Sequence, residues 1–319
     1  MIQAQNVQQQ PSQDVREQLY SQLEDYLGLS STKKKMDSSE KSERTTLKRK
    51  SSEQSSSSSS SKAMSKNTLA IKVNGKTVKG SAQNIVGRVV EAEMGASFRE
   101  EALKAQAVAA YTYIRYNNQK GVIPSLPAKS SVSAKVEDAV EQVIGEALYY
   151  QGEYINATYC ASNAGNSVDS ENVWGGYLPY LRSVESPGDT TLKAYGAVKR
   201  FSEEEIARYI EDNLDVDPYD YSDPDEWFED EEYINGRYVD SIRVCGRRLS
   251  GREVREELME FALPSAAFEV EYDDGEFIFT TYGYGHGVGM SQQGADYFAQ
   301  RGWDYEEILT HYYTGVTLK

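Results

Sequence analysis

Apolar and polar positions alternate with a period of two around three turn pairs. Residues 69–73 and 76–78 flank Asn74-Gly75, residues 147–150 and 153–159 flank Gln151-Gly152, and residues 268–272 and 276–281 flank Asp274-Gly275. Such alternation puts successive side chains on opposite faces of a strand. Asn-Gly and Asp-Gly supply the positive φ angles of a tight turn, so antiparallel hairpins are predicted. Elsewhere the period becomes helical. Leu103, Ala107, Ala110 and Ile114 share one face of a helix over residues 98–116, with Ser97 as expected N-cap and Glu100 completing a capping box. Ser202 and Glu205 form the same signature before a helix to residue 213, and residues 253–262, 292–301 and 305–312 also read as helix. Strands and helices mix without a regular strand-helix-strand rhythm. The expected fold class is α+β, with largely antiparallel sheets and hairpins packed against several helices.

Residues 1–67 break these patterns. Gln, Ser and Lys dominate, residues 55–61 are all serine, and a basic stretch spans residues 33–50. So little apolar surface cannot offset chain entropy, which predicts a disordered tether with at most a short helix over residues 15–29. The basic stretch suits attraction to anionic wall polymers. Residues 211–233 form a second unusual segment, with twelve carboxylates between Glu211 and Glu232. It reads as an acidic surface insertion, and without a glycine it does not fit a calcium loop.

The net charge of −16 opposes broad nucleic-acid binding. No apolar run of about 18 residues is present to span a membrane, and residues 1–30 lack the apolar core of a signal peptide. The two cysteines, Cys160 and Cys245, match no metal-finger spacing and read either as a disulfide or as two buried thiols. No metal or cofactor is expected.

Two stretches carry candidate chemistry. In the first, Glu91 and Glu93 precede the helix at residue 98. Read as a strand, the stretch points both carboxylates to one face. Val90, Ala92, Met94 and Phe98 flank Glu93 with apolar groups, and desolvation raises a carboxyl pKa toward the range of a general acid. The alternative is a salt bridge or a charge at a helix N-terminus. In the second, glycines at 283, 285, 287, 289 and 294 surround His286, Ser291 and Gln292. This is neither a phosphate-binding loop nor a dinucleotide fingerprint. It suits a flat sugar polymer on bare backbone, with His286 and Gln292 supplying hydrogen bonds; the alternative is a buried turn in which His286 bonds backbone.

Residues 91–113, EAEMGASFREEALKAQAVAAYTY, resemble the opening motif of the stage II sporulation protein D family. Trp174-Gly-Gly-Tyr-Leu-Pro-Tyr-Leu with Val184 and Pro187 resembles its middle motif, and residues 251–268 the segment before its last hairpin. Residues 283–295, with Gly302, Tyr305, Ile308-Leu309 and His311-Tyr-Tyr-Thr-Gly, are similar to its closing motif. The resemblance covers about residues 69 to 319. It implies a catalytic domain over residues 68–319, a lytic transglycosylase of peptidoglycan working without a cofactor on the cell-wall side. It also implies glycan strands as substrate and a cell-wall amidase as partner during engulfment; the family also includes amidase enhancers, so the alternative is a non-catalytic wall-binding protein of that kind. Export or membrane tethering falls to a segment absent from this chain.

The family's catalytic glutamate stands before Met in the first motif, which is Glu93 here. Lys104, Tyr111, Ser162, His286, Ser291 and Gln292 are the expected glycan contacts, supported by Glu91, Gly285 and Gly287. A single glutamate suffices because the sugar's own C6 hydroxyl replaces water as nucleophile. Glu91 is expected to tune Glu93 by like-charge repulsion. Two positions depart from the pattern: Tyr111 stands where family members carry Arg, and Cys160 where they often carry His. Tyr111 reads either as a stacking surface for a sugar ring or as core.

Overall fold

The computed structural model describes residues 67–319. The expected tether, its short helix and the basic stretch lie outside the described residues. Strands β1 (Thr68–Val73) and β2 (Lys76–Ser81) form the first predicted hairpin, with Asn74 and Gly75 at φ 49° and 74°. Helix α1 (Ala82–Glu93) follows directly, where a strand was expected. The Ser81 side chain caps it by accepting from the Asn84 amide at 3.3 Å, and Ile85, Val86, Val89 and Val90 bury one side. Four β-branched residues and Gly87 disguise this helix, and burial overrides their weak helix propensity.

The long helix α2 (Glu100–Gln119) packs against α1 and α3 (Ala134–Val143). Its N-cap is Arg99 rather than Ser97, and the Arg99 amide donates to Asp296 Oδ1 at 2.7 Å. The second predicted hairpin is only β3 (Leu148–Tyr150) with β4 (Glu153–Tyr154). Beyond it, β5 (Tyr159–Cys160) leaves the hairpin and pairs in parallel with β12 (Met290–Ser291). Helix α4 (Ser170–Trp174) and a 3-10 turn (Pro187–Thr191) lead into β6 (Ala197–Ser202).

Helix α5 (Glu203–Leu214) carries the predicted Ser202–Glu205 capping box. Helix α6 (Pro218–Tyr221) then precedes the sheet β7 (Phe228–Ile234), β8 (Tyr238–Val244) and β9 (Arg247–Leu249). The acidic stretch is therefore more than surface. Trp227, fully buried, stacks on Phe277 at 5.4 Å, and Phe228 packs edge-on against Phe277 and Phe279. The carboxylates face outward while two aromatics hold the segment to a core.

The helix expected over residues 253–262 is the short α7 (Gly251–Glu253) running into a π-turn (Val254–Leu258), and it ends where Glu260 and Phe261 take positive φ. Strands β10 (Phe268–Asp273) and β11 (Glu276–Thr281) form the third predicted hairpin, extended by β6. Helices α8 (Gln292–Gln300) and α9 (Tyr305–Tyr312) close the described chain with β13 (Thr317–Leu318). The fold is α+β, with antiparallel sheets and helices around two apolar clusters. One is centred on α1, α2 and α3, and the other on the aromatics of β7, β10 and β11.

Candidate active site

Glu93 is the last residue of α1, and the short parallel pair β5–β12 carries its partners to it. Gln292, the first residue of α8, donates through Nε2 to Glu93 Oε2 at 3.1 Å. Ser291 fixes that helix start by accepting from the Gly294 amide and donating to Asp189 Oδ1, both at 2.8 Å. The Glu93 carboxyl keeps some solvent-accessible surface, yet protein surrounds it densely enough for desolvation to dominate. Burial pushes it up to about 7, against the opposing Gln292 hydrogen bond. Both protonation states are thus populated near neutral pH, as an acid that must give and regain one proton requires.

Glu91 does not share this site. Two residues apart on a helix lie about 200° around its axis. Glu91 Oε2 instead accepts from the Ser133 amide and hydroxyl, at 3.0 and 2.7 Å, tying α1 to the start of α3. The expected like-charge tuning is replaced by burial and Gln292 as the influences on Glu93.

The glycine stretch also differs from expectation, because its bare backbone faces protein. A Cβ on Gly283 would meet the Asn163 carbonyl at 2.7 Å, one on Gly285 the Cys160 Cβ at 2.8 Å, and one on Gly287 the Tyr238 hydroxyl at 2.1 Å. These glycines let the loop close over residues 158–163 and β8. They are packing positions, so Gly285 and Gly287 support the site only by holding its frame. Ser162 is buried in the same frame, its backbone paired both ways with Tyr284, and Ser291 is a buried cap. Both side chains are enclosed by protein.

His286 accepts from the Val288 amide through Nδ1 at 3.0 Å, and its ring lies 5.2 Å from Trp174. Burial, with the Arg255 and Arg252 charges, pushes it down to about 4, outweighing the Tyr159 carbonyl that favours the protonated ring. It is therefore neutral near pH 7 and bonds backbone, as the turn alternative expects, while the residue keeps some solvent-accessible surface. Tyr111 is core: it is 4% exposed and its hydroxyl accepts from Arg115 Nε at 3.0 Å. Lys104 pairs with Glu101 at 2.8 Å and Glu100 at 3.0 Å on its own helix. Cys160 and Cys245 are free buried thiols, and the Cys160 Sγ donates to Asn163 Oδ1 at 3.0 Å.

Of the residues singled out from sequence, Glu93 and Gln292 meet. Three others belong beside them. Tyr159 and Tyr113 are partly exposed, with ring centroids 6.5 Å apart edge to face, and burial, followed by the Glu93 charge, raises the Tyr159 hydroxyl pKa. Gln106, fully buried, lies beside Tyr159. Asp189 is a second buried acid that sequence reasoning missed. It accepts from Ser186, Ser291 and the Asn163 amide at 2.7, 2.8 and 2.9 Å, and burial pushes it up to about 6 against those donors. Its place is structural, locking the 3-10 turn, β12 and the start of α8 into one frame. Gln292→Leu removes the donor that favours ionised Glu93. NMR titration of the Glu93 carboxyl is expected to show its midpoint above that of the wild type.

These features define an α+β protein in which a desolvated carboxyl group takes its partner amide from the other end of the described chain. A family model described as stage II sporulation protein matches residues 76–150. Stage II sporulation protein D of Bacillus amyloliquefaciens is 32% identical over 274 residues, covering 76% of this chain and 77% of that protein. Its counterpart in Bacillus subtilis is 31% identical over 278 residues, with the same coverage of 76% and 77%. The amidase enhancer of Bacillus subtilis is 27% identical over 295 residues, covering 72% of this chain and 39% of that protein. The chain belongs to the stage II sporulation protein D family. Among the described residues no helix is long and apolar enough to cross a membrane.

Proposed function

We propose that this protein is a lytic transglycosylase that cuts peptidoglycan between N-acetylmuramic acid and N-acetylglucosamine, with Glu93 as its single acid and base. The observation that carries this reading is the Glu93 carboxyl, held near pH 7 by burial and oriented by Gln292. Protonated Glu93 gives its proton to the glycosidic oxygen as the C1–O bond breaks. The carboxylate then takes the proton of the C6 hydroxyl as that oxygen closes on C1. The product ends in a 1,6-anhydro ring, one water lighter than a hydrolysed end, and Glu93 returns protonated. Tyr113 and Tyr159 offer aromatic edges for the sugar beside the acid. On this reading residues 68–319 are the catalytic domain, the substrate is glycan freed of stem peptides by an amidase, and the protein works on the cell-wall side.

Two departures and one relative favour a second reading, a wall-binding protein that stimulates an amidase without cutting. Tyr111 and Cys160 are buried where the family resemblance expects Arg and His, and a protein named amidase enhancer is among the relatives. Digestion of amidase-treated sacculi, followed by mass spectrometry, separates the two. Anhydro ends that appear with the wild type and vanish in Glu93→Gln support the enzyme. Amidase stimulation that survives Glu93→Gln, with no new ends from either protein, supports the enhancer.

A further inference from the structure

We infer that Gln106 and Tyr159 are positioning residues for Glu93, forming a second polar contact that its carboxyl engages each time it loses its proton. The inference rests on the reading of Glu93 as the acid. Gln106 is 0% exposed in the middle of α2, and neither its amide nitrogen nor its amide oxygen has a hydrogen-bond partner. The Tyr159 hydroxyl is likewise buried and unpaired. Folded proteins pair nearly all such groups, because an unpaired one has surrendered water for nothing. Three orphaned atoms at one place call for a reason.

Their neighbours supply it. Tyr159 pairs with Met290, two residues before the Gln292 that bonds Glu93, which brings its hydroxyl near the Glu93 charge. The Gln106 side chain lies beside that hydroxyl, yet no hydrogen bond forms between them. Gln292 holds Glu93 Oε2, and Oε1 takes part in no hydrogen bond described. The other titratable groups facing Tyr159 are Tyr113 and Tyr313, both kept un-ionised by burial. When Glu93 hands its proton to the glycosidic oxygen, a carboxylate is left in a desolvated place with one amide donor. The Tyr159 O–H, held protonated by burial, is free to turn toward Oε1 directly or through one water, while the Gln106 carbonyl or amide follows the turned hydroxyl. No proton leaves Tyr159. The pair is idle while Glu93 is neutral and engaged while it is charged.

The test uses Gln106→Leu and Tyr159→Phe in the full chain. Both remove a buried unpaired polar group and keep most of the side-chain volume, so the melting temperature is expected to hold or rise. The rate of anhydro-end release from peptide-free glycan is expected to fall about ten- to a hundredfold, the scale of one hydrogen bond to a charged group. The pH at which Glu93 titrates is expected to move up in both. Full cleavage with an unchanged pH profile in both variants overturns the inference. So does a lower melting temperature with Glu93 titrating as in the wild type, since that marks a purely structural role. If Glu93→Gln itself still cleaves at full rate, the reading of Glu93 fails. A dead Glu93→Gln beside fully active Gln106→Leu and Tyr159→Phe refutes this inference alone.

Discussion

Glu93→Gln is expected to lose glycan cleavage by about 10²- to 10⁴-fold, the usual contribution of a positioned acid/base, while making the fold more stable above neutral pH. The sign follows from the carboxyl's displacement from an ordinary 4.5 to about 7. Between those values the folded protein keeps a proton that the unfolded chain releases. Stability from this group is complete below the lower value and is lost as pH rises through the upper one. A neutral glutamine of the same shape carries no such loss. The stability difference between variant and wild type should be near zero at pH 4, grow between pH 5 and 7, and level off above pH 8. After allowance for the part of the carboxyl that still meets solvent, the plateau is on the order of 2 kcal/mol. Asp189, pushed up to about 6, lowers the stability of both proteins over a similar range, so the paired difference in melting temperature is the quantity to follow. A variant less stable than the wild type at pH 8 contradicts this account.

Gly289→Ala is expected to destabilise the fold by about 3 kcal/mol or more, from an L side chain in the left-handed region and from overpacking. Gly289 sits at φ 80°, and its new Cβ would fall 2.2 Å from the Thr158 carbonyl. That oxygen cannot move aside cheaply, because it accepts from the Met290 amide at 3.2 Å and from the Tyr313 hydroxyl at 2.8 Å. Forcing it apart breaks the β5–β12 pair, the element that sets Gln292 against Glu93. Thermal melting should show the loss of stability, and the Glu93 titration midpoint should rise as its amide partner withdraws. Gly275→Ala is the control. It too has positive φ, but nothing lies within 4 Å of its Cβ position, so its effect should be confined to the backbone strain.

What could be read from sequence followed local physics closely. The turns at Asn74-Gly75 and Asp274-Gly275, the Ser202–Glu205 box and the closing helices all form because neighbouring residues alone specify them. Helix α1 was hidden because its β-branched residues are chosen for packing against α2, not for helix propensity. Strand β7 was hidden by its carboxylates, which decorate the outward face while Phe228 anchors it. At the site, Glu93 was legible from its apolar flanks, but its geometry was not, since strand and helix send residues 91 and 93 to different places. Gln106 left a signal that was not used: it lies three residues after Leu103, a lone amide on the apolar face of an alanine-rich helix. Tyr159 could not be placed, because its parallel pairing with Met290 depends on a segment 131 residues away (290 − 159).

That long reach carries a consequence for timing. Glu93 and Gln292 are separated by 199 positions, and β5 finds β12 only after the final third of the polypeptide exists. A chain that ends before Gln292 therefore lacks the amide that aims Glu93. On the function proposed, the cutter stays blunt until its last helices dock, and translation itself acts as the safety catch.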